Sequence, residues 1–204
     1  MELLTRDTMG HDVTLWLDPV CPFSWNTARW LDGVAERAGF GIDWRLLNLA
    51  ILNEGRELPP QQRARMRDSQ RVGRLMAAIR AELGGQGLAK AYFSFGRRYF
   101  DASAAVDDRL AEHVLRDAGA GHTTVGVLSD VSLDDAVRQS HRAGQDALGE
   151  AGGSPMLSID GNTFFGPVLT AVPTPEAGGA LFDAFVILAA TPEFSQLQRP
   201  RTHA

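Results

Sequence analysis

The sequence predicts an α/β fold in which a βαβ unit and a ββα unit are separated by a long all-helical stretch. Three observations carry this reading. Apolar residues alternate over short runs near both ends of the chain, as half-buried strands require. From Pro59 to about Glu150 they recur instead at three- and four-residue spacing, as helices require. Proline and glycine mark the changes from one pattern to the other.

Val13, Leu15 and Leu17 alternate with Thr14 and Trp16, so Asp12 to Asp18 reads as a strand that Pro19 stops. A helix opens near Pro22, because proline suits a first helical position. Trp25, Ala28, Leu31, Val34, Ala35 and Ala38 keep helical spacing until Gly39 and Gly41. Ile42 to Leu49 reads as a second, largely buried strand, and the crossover length suits a parallel pair. In the helical stretch, Val72, Leu75, Met76, Ile79 and Leu83 form one apolar stripe. Leu88, Ala91, Tyr92, Phe95 and Tyr99 form a second, and Leu110, Val114 and Ala118 a third, with glycines at 84, 85, 87, 119 and 121 separating them. Ser132 with Asp135 three residues on predicts a capping box for a helix carrying Val137, His141, Gly144 and Leu148. Strands follow at Met156 to Ile159 and Asn162 to Phe165, joined by an Asp160-Gly161 hairpin turn. A final helix runs from about Pro175 through Ala189, capped by Thr174, with Leu181, Ala184, Phe185 and Leu188 toward the core. This order is that of the thioredoxin fold with a large all-helical insertion after the second strand. The expected division is 12–55 for the first half of that fold, 56–150 for the inserted helical domain, 151–198 for the second half and 199–204 for a tail.

A formal net charge of −5 gives no general attraction to phosphate backbones or anionic lipid, so neither nucleic acid nor a membrane surface is an expected partner. Met1-Glu2-Leu3-Leu4-Thr5-Arg6-Asp7 lacks the basic start and apolar run of a secretory signal, which points to the cytoplasm. No stretch reaches the ~20 apolar residues of a membrane span. A single cysteine excludes an intramolecular disulfide and any zinc site built on cysteines. His11, His113, His122 and His203 have no metal-ligand spacing, and no metal is expected.

Cys21-Pro22-Phe23-Ser24 lies where a strand ends and a helix begins, so the sulfur sits near the first free N–H groups and the positive end of the helix dipole. Both favour thiolate over thiol and would make Cys21 nucleophilic. Ser24, three residues on, faces the same side of the first turn, where its hydroxyl can donate to the sulfur. The ordinary expectation for a lone cysteine is a small buried hydrophobe. A strand–Pro–Val–Cys–Pro–helix junction is a poor place for one. Far along the chain, Ser154-Pro155 precedes the third strand, in the place where the thioredoxin fold carries a cis-proline whose preceding residue presents backbone to a partner at the cysteine.

Asp18-Pro19-Val20-Cys21-Pro22-Phe23-Ser24-Trp25, Leu49-Ala50-Ile51-Leu52-Asn53-Glu54-Gly55, and Ser154-Pro155 followed by Asp160-Gly161 and Phe164-Phe165-Gly166-Pro167-Val168-Leu169 resemble the DsbA-like mycothiol-dependent nitroreductase family, from about Asp12 to Arg201. The resemblance implies a cytosolic enzyme drawing electrons from the low-molecular-weight thiol mycothiol for disulfides or small hydrophobic electrophiles, nitro compounds included. It implies Cys21 and Ser24 as catalytic residues, and Pro22, Phe23, Ser154 and Pro155 around the thiol co-substrate. Ser24 stands where the family's resolving cysteine would be, so a two-cysteine cycle is out of reach. Alternatives are a glutathione-transferase-like or isomerase enzyme that activates a bound thiol, as in the related kappa-class transferases and 2-hydroxychromene-2-carboxylate isomerases, or a non-catalytic ligand-binding member of the fold.

Trp25 and Trp30 on the active-site helix read more readily as core than as substrate contacts, although Trp25 is a candidate for the substrate pocket. Asn53 is a second pocket candidate, set against the habit of loop asparagines to satisfy their own turn. His141 reads as a hydrogen-bonded structural histidine. Tyr92, Phe93, Phe95, Tyr99 and Phe100 read as core, with part of the patch available as an apolar roof over the cysteine. Arg63, Arg65, Arg67, Arg71 and Arg74 read as a solvated helix face.

Overall fold

A computed structural model describes residues 10–200. The targeting reading of Met1–Asp7 and the last part of the expected tail lie outside the described residues. The elements are β1 (Val13–Leu17), α1 (Pro22–Ala38), β2 (Asp43–Leu46), α2 (Leu49–Leu52), α3 (Pro60–Gly96), α4 (Asp108–Ala118), α5 (Asp134–Leu148), β3 (Met156–Ile159), β4 (Asn162–Phe165) and α6 (Pro175–Ala189). The sheet order is β2-β1-β3-β4. β1 pairs parallel with β2, Leu15 opposite Trp44, and antiparallel with β3, Leu15 opposite Leu157; β3 and β4 form the hairpin. The whole helical stretch falls between β2 and β3, which is the thioredoxin order with its insertion. Among the described residues no helix is long and apolar enough to cross a membrane.

Local chemistry explains the boundaries. Cys21 is the extended N-cap of α1 with Pro22 at its first position, and Gly39 ends the helix with φ 77°. Asp160 and Gly161 both take positive φ, 52° and 82°, as a tight hairpin turn of this kind requires. Thr174 Oγ1 accepts from Ala177 N and caps α6.

α3 is not one rod. Asp68 and Tyr99 would stand about 45 Å apart along a straight helix axis, yet Tyr99 Oη donates to Asp68 Oδ2 at 3.2 Å. The helix doubles back at Gly84, whose φ of 70° and ψ of −165° are open to glycine. The two arms thus lay both apolar stripes on one core. Leu75, Met76, Ile79, Leu88, Tyr92 and Phe95 are buried in the same cluster as Leu15, Leu17, Leu31 and Trp44.

Four local expectations are corrected. The second strand stops at Leu46, because Asn48 caps α2 by accepting from Ile51 N at 3.1 Å, drawing Leu49 to Leu52 into a helical turn. α5 has no capping box: Asp130 Oδ1 accepts both Ser132 N and Ser132 Oγ, capping a short 3-10 turn that runs on into α5. On α6, Ala184 is exposed and Phe182 is buried, because Gly178 lies against Trp30, whose indole N–H donates to Gly178 O at 2.9 Å. Arg74 is not solvated: it is 7 % exposed, with a two-pronged bond to Asp134 at 2.6 and 2.9 Å.

Candidate active site at the head of the first helix

β1 carries the chain into Asp18-Pro19-Val20 and α1 carries it away, so Cys21 lies at the carboxyl end of a central strand. β3 begins alongside, and Ser154-Pro155, a cis peptide, meets the cysteine from the far end of the sequence. Cys21 Sγ donates to Ser154 O at 3.3 Å. Ser24 Oγ lies 2.6 Å from Ser154 Oγ, and Ser154 Oγ also accepts from Asp18 N at 2.7 Å. Since that N–H can only donate, one consistent arrangement lets Ser154 donate to Ser24 and leaves the Ser24 proton for the sulfur. Cys21, Ser24, Ser154 and Pro155 are thus brought together, with Pro22 and Phe23 half-buried on the opening turn of α1.

The expected acidity of the thiol is corrected. Ser24 Oγ and the Phe23 and Ser24 amides do bear on the sulfur and favour its thiolate, as the helix start implied. Burial outweighs them: Cys21 is 4 % exposed, and desolvation, aided by the Asp18 charge, pushes the thiol above its ordinary value. Donating to Ser154 O, the buried sulfur is a thiol.

Sequence reasoning assigned Asp18 no role. It is fully buried, with Oδ1 accepting from Val20 N at 2.8 Å and Oδ2 from Leu49 N at 2.7 Å and Ser69 Oγ at 2.5 Å. One carboxylate therefore pins the cysteine loop, the start of α2 and α3 together. Burial still raises its pKa above the usual carboxylate range, against these three donors. The Asp-x-Val turn, in which a side chain bonds the amide two residues on, was the local signal for half of this arrangement.

Trp25 and Asn53 are engaged elsewhere. The Trp25 ring is 3 % exposed among Tyr92, Phe93 and Phe100, and its indole N–H donates to Asp101 Oδ1 at 3.2 Å. Asn53 Nδ2 donates to Leu49 O at 2.8 Å and lies 3.7 Å from Met66 Sδ. His141 is buried, its Nδ1 accepting from Asn48 N at 3.3 Å, and burial lowers its pKa. A groove of about 690 Å³ lined by Asp32, Glu36, Trp44, Lys90 and Phe93 lies toward the other end of α1, roughly three helical turns from Cys21.

The chain is 29 % identical over 197 residues to the uncharacterized protein Rv2286c of Mycobacterium tuberculosis, a match covering 94 % of this chain and 83 % of that one. Its structure is similar to that of a 2-hydroxychromene-2-carboxylate isomerase, with TM-score 0.60, 15 % identity and coverage of 86 % and 95 % of the two chains. It is also similar to the cytosolic disulfide reductase DsbM of Pseudomonas aeruginosa, solved with GSH, with TM-score 0.58, 13 % identity and coverage of 86 % and 99 %. At such identities these two likenesses establish the fold alone. The family model described as Rv2466c-like, mycothiol-dependent nitroreductase, matches residues 20–199, from the residue before Cys21 through the last helix, and the chain belongs to that family of thiol-dependent enzymes.

Proposed function

We propose that this chain is a monothiol oxidoreductase in which Cys21 exchanges with mixed disulfides between mycothiol, or a similar low-molecular-weight thiol, and a small hydrophobic partner. The observation that carries the reading is the sulfur 3.3 Å from Ser154 O, beside Pro155 and at the N-cap of α1, with a hydroxyl in the resolving position. Opening of the site rehydrates the sulfur and lets the opening amides and Ser24 hold it as thiolate. The thiolate attacks the mycothiol sulfur of the mixed disulfide; the old S–S bond breaks, and its electron pair leaves on the partner sulfur, which takes up a proton. A second mycothiol thiolate then attacks that same sulfur, and the new S–S bond forms as Cys21 departs as thiolate. The net change is one mixed disulfide plus one thiol giving one free thiol plus one mycothiol disulfide. Ser24 cannot close a disulfide, so every cycle passes through the external thiol. A reducing cytoplasm supplies such thiols.

Intact-mass analysis after incubation with mycothiol disulfide tests this reading. Wild type is expected to gain one mycothiol residue, removed by reductant and absent in Cys21→Ala. No adduct between pH 7 and 9 overturns it. Activation of a bound thiol by the Ser24–Ser154 hydroxyl pair, 2.6 Å apart, is the second reading. Under it Cys21→Ala retains transferase or isomerase activity.

A further inference from the structure

The segment Phe164-Phe165-Gly166-Pro167-Val168-Leu169 takes no part in the cycle described above, yet the sheet brings it beside the cysteine. Leu157 on β3 is flanked by Leu15 of β1 and Phe164 of β4. Both neighbours run antiparallel to β3, so β4 ends at the same edge of the sheet as β1, the edge that carries Cys21. Two strand spacings, about 10 Å, separate the two strands there. Gly166 N donates to Pro155 O at 2.8 Å, which ties the end of β4 to the cis-proline. Beyond it, Thr27 Oγ1 donates to Pro167 O at 2.7 Å and Asn26 Nδ2 to Leu169 O at 2.9 Å, so α1 holds the chain that follows.

Strand alternation sends the two phenylalanines of this segment opposite ways. Phe164 packs against the core, its ring centroid 6.2 Å from that of Phe185 and 6.1 Å from that of Phe194. Phe165 is 49 % exposed, the only aromatic among the exposed large hydrophobic side chains of the described residues. Its ring lies over Gly153, where an added Cβ would come within 3.1 Å of Phe165 Cε2. Gly153 leads directly into Ser154, whose carbonyl receives the Cys21 thiol. A lone exposed apolar side chain is ordinary on a protein surface. This one adjoins the backbone that touches the reacting sulfur, and its mount is fixed by the bond to Pro155.

We propose that Phe165 is a specificity-determining residue for the partner half of the mixed disulfide, an apolar shelf on which an aryl group of the departing thiol stacks while the mycothiol sulfur faces Cys21. The proposal deepens the monothiol reading and rests on it. The bonds that change are those already given: the Cys21 thiolate bonds the mycothiol sulfur, and the aryl-bearing thiol leaves with the electron pair of the old S–S bond and takes up a proton. Phe165 holds the leaving half and exchanges nothing with it. An aryl group set against the ring gains stacking and burial of apolar area, neither of which a small polar thiol offers.

The test compares kcat/KM in the full chain for two mixed disulfides of mycothiol, one with 2-phenylethanethiol and one with 2-mercaptoethanol. The partners differ only in phenyl against hydroxyl on the same two-carbon thiol. Wild type is expected to favour the phenyl compound about tenfold. Phe165→Ala is expected to keep the wild-type melting temperature and to bring the ratio of the two kcat/KM values to about one, whereas Phe165→Trp, which keeps a ring, holds it. A wild-type ratio of about one, or a ratio within twofold of wild type in folded Phe165→Ala, overturns the proposal. If that variant does not fold, a ratio unchanged in Phe165→Leu, which keeps apolar bulk without the ring, overturns it. The mass test with mycothiol disulfide involves no aryl partner. An intact adduct with no phenyl preference removes the shelf alone, whereas loss of the adduct removes the monothiol reading and the shelf with it.

Discussion

Asp18 and Glu82 are carboxylates wrapped by similar donors and shifted in opposite directions. Asp18 accepts two amides and a hydroxyl. Glu82 accepts the amides of Gly121, His122 and Thr123 at 2.8, 3.0 and 2.9 Å and Thr123 Oγ1 at 2.6 Å. At Glu82 the donors, the Thr123 hydroxyl foremost, pull the pKa down to about 2, because water still reaches the group and burial has little to set against them. At Asp18 burial exceeds the sum of its bonds and the shift is upward. Glu82 is a clamp that ties the loop after α4 to α3. Asp18 is held at a cost beside Cys21, where its charge also raises the thiol. The same hydrogen bonds are thus structural at the surface and electrostatically loaded in the interior.

The largest expected break of that contrast is Asp18→Ala. It strands the amides of Val20 and Leu49 and the Ser69 hydroxyl in the interior, and about 3–5 kcal/mol of stability is expected to go, read by denaturant unfolding. A loss under 1 kcal/mol would mean that water enters to replace the carboxylate. Asp18→Asn sharpens the comparison at lower cost. With Oδ1 kept on Val20 N, the amide nitrogen faces the Leu49 N–H, and one unpaired donor costs about 1–3 kcal/mol. Removing the charge also removes one cause of the raised thiol, so Cys21 alkylation is expected to titrate at lower pH than in wild type. An unmoved profile would show that Asp18 is already neutral where the cysteine titrates.

What the sequence carried, and what it did not, follows the range of the interactions. β1, α1, the β3–β4 hairpin and α6 were legible because Pro22, Gly39, Asp160-Gly161 and Thr174 act on their own neighbours. Cys21, Ser24 and Ser154-Pro155 were legible as a set through the order of elements and the family resemblance. The protonated, buried state of Cys21 was not, because helix-start chemistry is local and desolvation comes from whatever packs over the site. Asp18 has its donors 31 and 51 residues away. Arg74 looked like one arginine of five until Asp134, 60 residues on, took its guanidinium.

The smallest expected effect separates the two carboxylates by the sign of their response to acid. Glu82 has a folded value of about 2 against an ordinary 4.5, so its contribution is present above about pH 4.5 and is lost as pH falls toward 2. Asp18 is shifted the other way from 3.8: the stability linked to its protonation is present below 3.8 and is lost as pH rises through its higher folded value. Glu82→Gln keeps two of the four acceptor positions and removes the titration. Melting temperatures from pH 7 to 2 are expected to show wild type above Glu82→Gln at neutral pH, the gap closing toward pH 2. For Asp18→Asn the gap is expected to widen in the same range, as the wild-type carboxyl becomes neutral and its burial ceases to oppose folding. Faster hydrogen exchange at Gly121, His122 and Thr123 in Glu82→Gln would locate its effect in the loop it clamps. Parallel curves for the two variants would mean that the buried carboxylate is solvated as freely as the surface one, and the distinction drawn between them would fall.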